Sequence, residues 1–321
     1  MRDPIFFKPI LKEKVWGGTK ILPYLKMPVT KEGIGEAWLL SDVLGSESYT
    51  KNDPSITLNA LTKMYGAELV GTEIYKRYEN QFPLLCKLID AKEHLSVQVH
   101  PDKAYAAEKA GINSKEELWY ILEAEPEAKL ILGLQPDVRK PQIKKAIEEN
   151  NVQSILKRIP VKPGDFVMVP AGTVHAILGD IFLLEISESS DTTFRFYDWD
   201  RKEAGTPREL HISESLAALR EEATEEQDYS KKTKRNGAYI QHGPKIDCFS
   251  SDSVLLNGRY CCDTDERSFA ILIVLGGAGT LAYDDKEVNL QAGDTTLIPA
   301  KRKNIAVQGE GIHFLHTYMN A

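Results

Sequence analysis

The chain has 321 residues, of which 42% are hydrophobic and 27% are charged, and its formal net charge is -7. This apolar content argues against disorder, and the length is sufficient for two domains with a large core. The acidic balance argues against nucleic acid or an anionic membrane surface as a partner. Because no run approaches the ~18 apolar residues of a membrane span and no signal-peptide core opens the chain, we expect a cytoplasmic protein.

The first part of the chain is predicted to form mostly β-strands. Short apolar runs separated by Gly and Pro predict strands and turns over residues 5–50. The apolar spacing predicts a short helix within residues 55–67, and the Pro-Asp pair that opens residues 101–109 predicts another. We expect Trp16 and Trp38 to pack in the core rather than to stack on a ligand. Further strands are predicted over residues 82–90, 95–100, 117–122 and 129–133.

The second part begins with a helical insertion and ends with strands. Residues 137–157 place apolar side chains among many Lys and Glu, which predicts helices inserted between strands. Residues 221–235 carry both signs of charge without an apolar stripe, so we interpret them as a connector or a solvated face. A strand is predicted from Asp165, another over residues 181–186 and a helix over residues 213–220. The predicted domains are residues 1–235 and residues 236–321.

One predicted strand carries polar side chains suited to binding. In Leu95-Ser-Val-Gln-Val-His-Pro-Asp102, apolar residues alternate with Ser96, Gln98 and His100. This alternation places the three polar side chains on one face of a strand. A solvent-facing strand would more often use Lys, Glu and Thr, so the pattern indicates one wall of a pocket.

Two segments share a sequence frame. Residues 163–175 and 292–304 each contain Gly-Asp, four residues, and then Pro-Ala. The first copy, Gly164-x5-Pro170-x-Gly172-x2-His175, resembles the second motif of the cupin fold, an antiparallel jelly-roll barrel. The resemblance implies a mainly β protein with two cupin barrels and with helices inserted in and around the first.

The second copy lacks the polar residues of the first. Asn304 occupies the position equivalent to His175, and nothing like Gln98-x-His100 lies near residues 276–280. We therefore expect only the first barrel to bind a metal ion. His313 and His316 lack a carboxylate at a suitable spacing, and we predict that they are structural or surface residues.

The first barrel contains a candidate metal site. Gln98 and His100 are two residues apart on a strand, and His175 follows a turn. A carboxylate is needed to offset the charge of the ion, and Glu117 is the best candidate, with Glu116 as the alternative. Four such ligands leave a position for water or substrate, as in catalytic sites. Nitrogen and oxygen donors suit Zn, Fe, Mn or Co alike.

Several motifs together resemble the short bacterial form of class I mannose-6-phosphate isomerase. The motifs are Leu95-Ser-Val-Gln-Val-His-Pro-Asp-Lys103, Glu117-Leu-Trp-Tyr-Ile-Leu122, Val169-Pro-Ala-Gly-Thr-Val-His175, Asp191-Thr-Thr-Phe-Arg195, Gly35-Glu-Ala-Trp38 and Val15-Trp-Gly-Gly18. The resemblance runs from near residue 5 to the end of the chain. It implies one zinc ion per chain, held by Gln98, His100, Glu117 and His175, and interconversion of mannose 6-phosphate and fructose 6-phosphate.

The resemblance also implies roles for other residues. Arg195 matches the catalytic arginine of the family, and Lys115 matches a lysine upstream of the ligand glutamate. Lys103, Ser96 and Asp191 are the candidates for substrate binding. Where longer relatives have His-Lys-Pro-Glu, this chain has Ser-Lys-Glu-Glu, so a role for that histidine cannot be transferred.

The implied reaction fits these side chains. A proton leaves a carbon next to a carbonyl and returns to the neighbouring carbon through an enediol, and a divalent ion stabilises the negative charge by several kcal/mol. Arg195 has a pKa above ~12, so it is assigned to holding the enediolate or the phosphate rather than to removing the proton. An ion pair with Asp191 is the alternative role for Arg195. A metal-bound water, a Glu or a Lys would each serve as the base.

Two other functions are open on the sequence. A cupin oxygenase would use iron in the same pocket, although it would prefer two histidines and a carboxylate with several open positions. A non-catalytic cupin would bind a sugar phosphate without turnover. Metal analysis together with an assay on mannose 6-phosphate separates the three functions.

Overall fold

The computed structural model describes residues 3–203, 205–221 and 228–320. Strands predominate within these ranges, which confirms the prediction of a mainly β protein. The strands are β1 (Ile5–Phe6), β2 (Ile10–Gly18), β3 (Ile34–Leu40), β4 (Leu84–Ala91), β5 (Val97–Val99), β6 (Glu117–Ala124), β7 (Lys129–Leu134), β8 (Leu156–Pro160), β9 (Phe166–Val169), β10 (His175–Ile177), β11 (Ile181–Glu188), β12 (Phe194–Tyr197), β13 (Lys202–Glu203), β14 (Thr206–Pro207), β15 (Lys232–Arg235), β16 (Ala238–Lys245), β17 (Phe249–Cys261), β18 (Ala270–Gly276), β19 (Ala278–Tyr283), β20 (Lys286–Gln291), β21 (Thr295–Ile298) and β22 (Ile305–Met319).

The helices are short and lie at the margins of the sheets. They are α1 (Ile21–Tyr24), α2 (Leu58–Tyr65), α3 (Ala67–Val70), α4 (Thr72–Tyr78), α5 (Lys103–Ala107), α6 (Lys140–Glu148), a 3-10 turn (Val152–Ile155) and α7 (Ile212–Ala218). Among the described residues, every helix is too short or too polar to cross a membrane. The predicted helices near residues 55–67, 101–109, 137–157 and 213–220 are all found, each shorter than predicted.

The helix that follows the polar strand shows why its predicted start was too early. Asp102 has an extended backbone, and its side chain accepts a hydrogen bond from the Tyr105 backbone N–H at 2.8 Å. Asp102 is thus the N-cap, since its carboxylate satisfies one of the free N–H groups of the first turn. The cap fixes the direction in which the chain leaves β5.

The N-terminal part contains two sheets that carry the polar segments. One sheet has the order β2-β3-β4-β11-β6-β9, and the other has the order β12-β5-β10-β7-β8. Their antiparallel pairing sets His175 opposite Gln98 and Ser187 opposite Glu117. Strands β13 and β14 form a separate two-stranded sheet.

Strand β11 lies at the centre of the six-stranded sheet, and all eight of its residues are buried. Phe182, Leu184 and Ile186 contribute to the core that this sheet shares with the C-terminal part, whereas Ile181 and Leu183 belong to the core facing the five-stranded sheet. Because the strand is covered on both sides, its sequence is nearly continuously apolar. Glu185 interrupts that apolar sequence, so it needs a partner inside the protein.

The C-terminal part forms a nine-stranded sheet. Its main order is β1-β21-β18-β22-β17-β16-β15, and β19 joins β20 to β22. The first strand of the chain therefore pairs with β21, far away in sequence. The interior of this sheet has its own apolar core, which includes Val254, Leu272 and Phe314.

One sequence interpretation needs correction. We interpreted the charged run as a connector or a solvated face, and its residues Lys232–Arg235 form the edge strand β15 paired with β16 rather than a connector. All four residues of this strand are exposed. Charged side chains suit an edge strand because they oppose pairing with other chains, and a pattern of charge alone cannot distinguish this use from a linker. Residues 222–227 of the same run lie outside the described residues.

Candidate active site

The two N-terminal sheets bring three distant residues to one point. His100, Glu117 and His175 are all buried, and each offers a ligand atom within 4.8 Å of the others. Nε2 of His100 lies 3.0 Å from Oε1 of Glu117, and Nε2 of His175 lies 3.7 Å from Oε2 of Glu117. The carboxylate of this cluster is therefore that of Glu117, whereas the backbone N–H of Glu116 donates to Glu188.

Backbone carbonyls fix the orientation of both imidazoles. Nδ1 of His100 lies 2.7 Å from the Thr192 carbonyl, and Nδ1 of His175 lies 2.8 Å from the Thr173 carbonyl. Since a carbonyl can only accept, each Nδ1 carries a hydrogen, and in the neutral form of the ring Nε2 presents a lone pair to the centre of the cluster. Burial lowers the pKa of His175 to about 4, so this ring is neutral at neutral pH.

The donor set fits a cation. Two Nε2 lone pairs that face carboxylate oxygens repel them unless a positive ion lies among them. Gln98 completes the group, because its amide nitrogen lies 3.2 Å from Nε2 of His175 and 3.5 Å from Nε2 of His100. A half-turn of this amide presents its oxygen instead. The side chains predicted as metal ligands are therefore gathered at one point, and a metal ion is the group that suits them.

A chain of alternating charges supports the cluster. Lys115 is buried and donates to Glu117 at 2.6 Å and to Glu185 at 2.8 Å. Lys87 lies 3.5 Å from the same oxygen of Glu185. Burial alone would raise the pKa of Glu117, but the adjacent Lys115 ammonium holds it well below its ordinary value. Burial would likewise lower the pKa of Lys115, which the two glutamates instead raise.

Trp119 orients the second oxygen of the central glutamate. Its indole N–H donates to Oε2 of Glu117 at 3.1 Å, while Oε1 takes the hydrogen bond from Lys115. The two donors fix the carboxylate plane, and such outer contacts orient a metal ligand. The Glu117-Leu-Trp pattern places both side chains on the same face of β6.

A cavity of about 370 Å³ opens beside the cluster. Gln98, Glu117 and His175 line it, and so do Arg195 and Arg208. The guanidinium of Arg195 donates to the Glu209 carbonyl at 2.8 Å. A cavity of this size with metal-binding and cationic groups can hold a small, polar, anionic molecule.

The other predicted residues fall into two groups. Ser96, Asp191 and Lys115 lie on the cavity wall, as do both Trp16 and Trp38. The two tryptophans are buried as predicted, yet they also face the cavity, which the sequence did not indicate. Lys103 is exposed and lies 4.0 Å from Glu188 and 3.9 Å from Asp247, outside the described cavity wall.

Sequence reasoning missed a further group of residues on the cavity wall. Glu36 accepts from the Trp38 indole at 2.8 Å and pairs with Lys14 at 3.3 Å. Lys87 lies 4.9 Å from the centre of the Trp38 ring. Burial alone would raise the pKa of Glu36, but Lys87 and Lys14 lower it below its ordinary value. The missed signal was a charged residue inside an apolar strand, such as Lys87 in β4, because a buried charge requires a partner.

The antiparallel sheets and the buried His–Glu–His cluster define a cupin-type protein with a site for a metal ion. Comparison with known proteins agrees. Residues 5–133 match the family model "Phosphomannose isomerase type I, catalytic domain", and residues 240–316 match "Mannose-6-phosphate isomerase, cupin domain". The chain is 39% identical to a mannose-6-phosphate isomerase of Streptococcus mutans over 222 residues, which is 68% of each chain.

Solved structures give the same result. The crystal structure of mannose 6-phosphate isomerase from Bacillus subtilis is similar to this chain with a TM-score of 0.88 and 33% identity, covering 99% of each chain. A zinc-bound mannose 6-phosphate isomerase has the same fold, with a TM-score of 0.77 and 17% identity over 99% of this chain and 100% of that one. This chain belongs to the type I phosphomannose isomerase family.

Proposed function

We propose that the protein is an aldose-ketose isomerase that interconverts mannose 6-phosphate and fructose 6-phosphate through an enediol. The observation that carries the proposal is the cluster of His100, Glu117 and His175 beside a cavity whose wall includes cationic groups. Family membership identifies the sugar phosphate. We also propose, as the sequence led us to expect, that the protein is cytoplasmic and that it binds neither nucleic acid nor a membrane.

The metal ion is proposed to be zinc, one per chain, held by Gln98, His100, Glu117 and His175. Its nitrogen and oxygen donors are those that zinc accepts, and the open side of the cluster faces the cavity. When bound, the ion supplies a Lewis acid that stabilises negative charge on the oxygens of the sugar. The Nδ1 hydrogen bonds of both histidines hold their rings in place for it.

The residues around the cavity have distinct proposed roles. Arg195 on the cavity wall stabilises the anionic sugar, either at its enediolate or at its phosphate. Lys115 fixes Glu117 and Glu185 through its two hydrogen bonds and also lines the cavity. Ser96 and Asp191 are positioned to contact sugar hydroxyls, and Lys103 stays a weaker candidate because it lies outside the described wall.

The proton moves between two neighbouring carbons, which requires a titratable group on the cavity wall. Glu36, Lys87, Lys115 and Glu185 are the buried titratable residues of the described wall outside the metal-binding cluster. Each is held by at least one ion pair, so its position is fixed relative to a bound sugar. Such preorganisation lowers the barrier by removing the need to orient the catalytic groups during the reaction.

We also propose that the two domains are cupin barrels, residues 1–235 with helical insertions and residues 236–321. The match of residues 240–316 to a cupin model supports the second barrel. Two strands within residues 1–235, β1 and β15, nevertheless belong to the nine-stranded C-terminal sheet. The N-terminal sheets enclose the cluster, which supports assigning the catalytic site to the first barrel.

A coupled assay on zinc-loaded protein tests the function. We expect mannose 6-phosphate to be converted to fructose 6-phosphate, and treatment with a chelator to abolish the reaction until zinc is restored. Binding of the sugar phosphate without turnover would contradict the proposal and support a binding protein instead. Iron-dependent oxygen consumption without isomerisation would support the oxygenase.

A further inference from the structure

A second cavity, of about 470 Å³, lies in the C-terminal sheet, separate from the site described above. Its wall comes from β15, β16 and both ends of β17. The residues that matter to its chemistry are Arg235, His242, Asp252, Arg259 and Tyr260. None of them belongs to the wall of the first cavity.

Two arginines of this cavity flank a tight contact between the β15–β16 turn and strand β17. The Asn257 backbone N–H donates to the Gly237 carbonyl at 2.9 Å. Gly237 has φ +81, and a Cβ there would lie 2.0 Å from the Asn257 carbonyl oxygen, so only glycine fits. Arg235 precedes this contact by two residues and Arg259 follows it by two residues, which places both beside the same junction.

The arginines are available to a ligand. Both are exposed, and within the described ranges neither guanidinium has an ion-pair partner. Unpaired guanidinium groups on a cavity wall favour a phosphate, because their N–H groups can donate in pairs to its oxygens. The acidic net charge of the protein makes this basic edge a local feature rather than part of a general basic surface.

The wall of this cavity also offers partners for hydroxyl groups. Asp252 is bonded to Nδ1 of His242 at 2.8 Å and also takes a hydrogen bond from the Tyr318 hydroxyl. The Tyr260 hydroxyl lies 3.2 Å from Nδ1 of His316, which anchors the ring from the interior side. A carboxylate and a tyrosine hydroxyl suit the hydroxyl groups of a sugar, whereas the carboxylate would repel a second phosphate.

We propose that this cavity is a second binding site, specific for a sugar phosphate. The phosphate is bound between Arg235 and Arg259, and the sugar hydroxyls contact Asp252 and Tyr260. The site takes no part in the isomerisation, since it shares no residue with the described catalytic cavity. It provides a place where a phosphorylated sugar binds the C-terminal domain independently of turnover.

Calorimetric titration of the zinc-loaded protein with fructose 6-phosphate tests this site. We expect two binding events per chain. In the variant R235Q/R259Q one event disappears, while the other event and the kcat and KM of isomerisation stay unchanged. Each single replacement weakens the second event at least about tenfold, since a hydrogen bond to a charged group is worth ~1.5 kcal/mol or more.

The variant R267Q is the matched control. Arg267 lies in the same domain and is paired with Asp265 at 2.6 Å, so its loss leaves both events in place. A single event in the unmodified protein overturns the proposal, as does a second event that survives R235Q/R259Q. If inorganic phosphate binds the second site as tightly as fructose 6-phosphate does, the assignment to a sugar phosphate is overturned. If the protein is not an isomerase, the coupled assay detects no conversion of mannose 6-phosphate, whereas the second binding event is still seen by calorimetry.

Discussion

The N-terminal and C-terminal parts repeat one sequence frame but use their histidines in opposite ways. In the first copy His175 begins β10 and turns its Nε2 lone pair towards Glu117. In the second copy the equivalent Asn304 lies in a turn with φ +58, directly before β22. The histidines of β22 instead contact hydroxyl groups, namely His313 with Ser253 and His316 with Tyr260.

This difference shows that the fold alone does not make the metal site. Both parts offer antiparallel strands and a cavity, yet in the described residues only the N-terminal part gathers two imidazoles and a carboxylate within ligand distance. The N-terminal histidines are positioned by backbone carbonyls that leave Nε2 free for an ion. Function therefore follows from a few side chains at strand ends rather than from the architecture.

The largest expected effect comes from removing one imidazole of the cluster. We expect His175→Ala to lose zinc and to reduce kcat/KM by on the order of a thousandfold, because metal stabilisation of the transition state is worth several kcal/mol. Metal content and the coupled assay measure both effects. The matched control is His242→Ala in the C-terminal sheet, which should leave both unchanged. Full activity in His175→Ala would contradict the assignment of the metal site to the N-terminal part.

The next prediction concerns the buried charges that support the cluster. Lys115→Met leaves Glu117 and Glu185 without their shared partner, so we expect the free energy of unfolding of the zinc-free protein to fall by ~3–5 kcal/mol. Urea denaturation measures this change. The control Lys76→Met breaks an exposed pair with Glu73 and should cost less than about 1 kcal/mol. Equal losses of unfolding free energy in the two variants would show that burial of the Lys115 ion pairs does not affect stability.

A third prediction separates catalysis from metal binding. Arg195→Ala should keep zinc and lower kcat about 100- to 1,000-fold, as expected when a donor to a developing negative charge is lost. Arg195→Lys restores part of the rate, since it keeps the charge without the paired N–H groups. Metal analysis and steady-state kinetics measure the outcome. An unchanged rate in Arg195→Ala would assign this residue to structure alone.

The C-terminal histidines should instead appear in the pH dependence of stability. Burial lowers the pKa of His316 to about 4, and burial together with Lys232 lowers that of His313 to about 4. Because the unfolded state binds a proton near pH 6.5 and the folded state does not, stability is complete above pH 6.5 and is lost as the pH falls towards 4. Each histidine should lower the free energy of unfolding by about 2 kcal/mol between pH 7 and pH 5.

The variant H316Q checks this pH effect. Its free energy of unfolding, measured in urea on zinc-free protein, should fall less between pH 7 and pH 5 than that of the unmodified protein. The expected reduction in the fall is about 2 kcal/mol, the share of one histidine. An unchanged pH dependence would mean that His316 is protonated in the folded state.

The smallest effect is expected from adding a histidine to the second copy. Asn304→His restores the residue of the first copy, but no equivalents of Gln98, His100 and Glu117 accompany it. We expect no second zinc ion and a change in stability within about 1 kcal/mol, since histidine tolerates positive φ better than most residues. Equilibrium dialysis against zinc measures the stoichiometry. Binding of a second ion would show that one histidine suffices.

Much of this organisation was predictable from the sequence because local patterns determine it. The alternation of Ser96, Gln98 and His100 sets their common face, and the turn before His175 sets the direction of that ring. The mainly β fold follows from short alternating runs bounded by Gly and Pro. Family motifs then selected Glu117, which spacing alone could not separate from Glu116.

The missed features depend on contacts between distant strands. Lys87 and Glu185 read as isolated charges in apolar strands, and only the pairing of β4 with β11 makes them partners. Glu36 and Trp38 lie on β3, whose pairing with β4 turns them towards the cavity. The edge strand Lys232–Arg235 read as a linker because exposed charged residues serve both purposes.

The most direct test of the metal site is anomalous scattering at the zinc edge from crystals of the zinc-loaded protein. The proposal predicts one strong peak per chain, bonded to Gln98, His100, Glu117 and His175, with no peak among His242, Asp252 and His316. An active protein whose peak lies elsewhere, or which shows no peak, would contradict it.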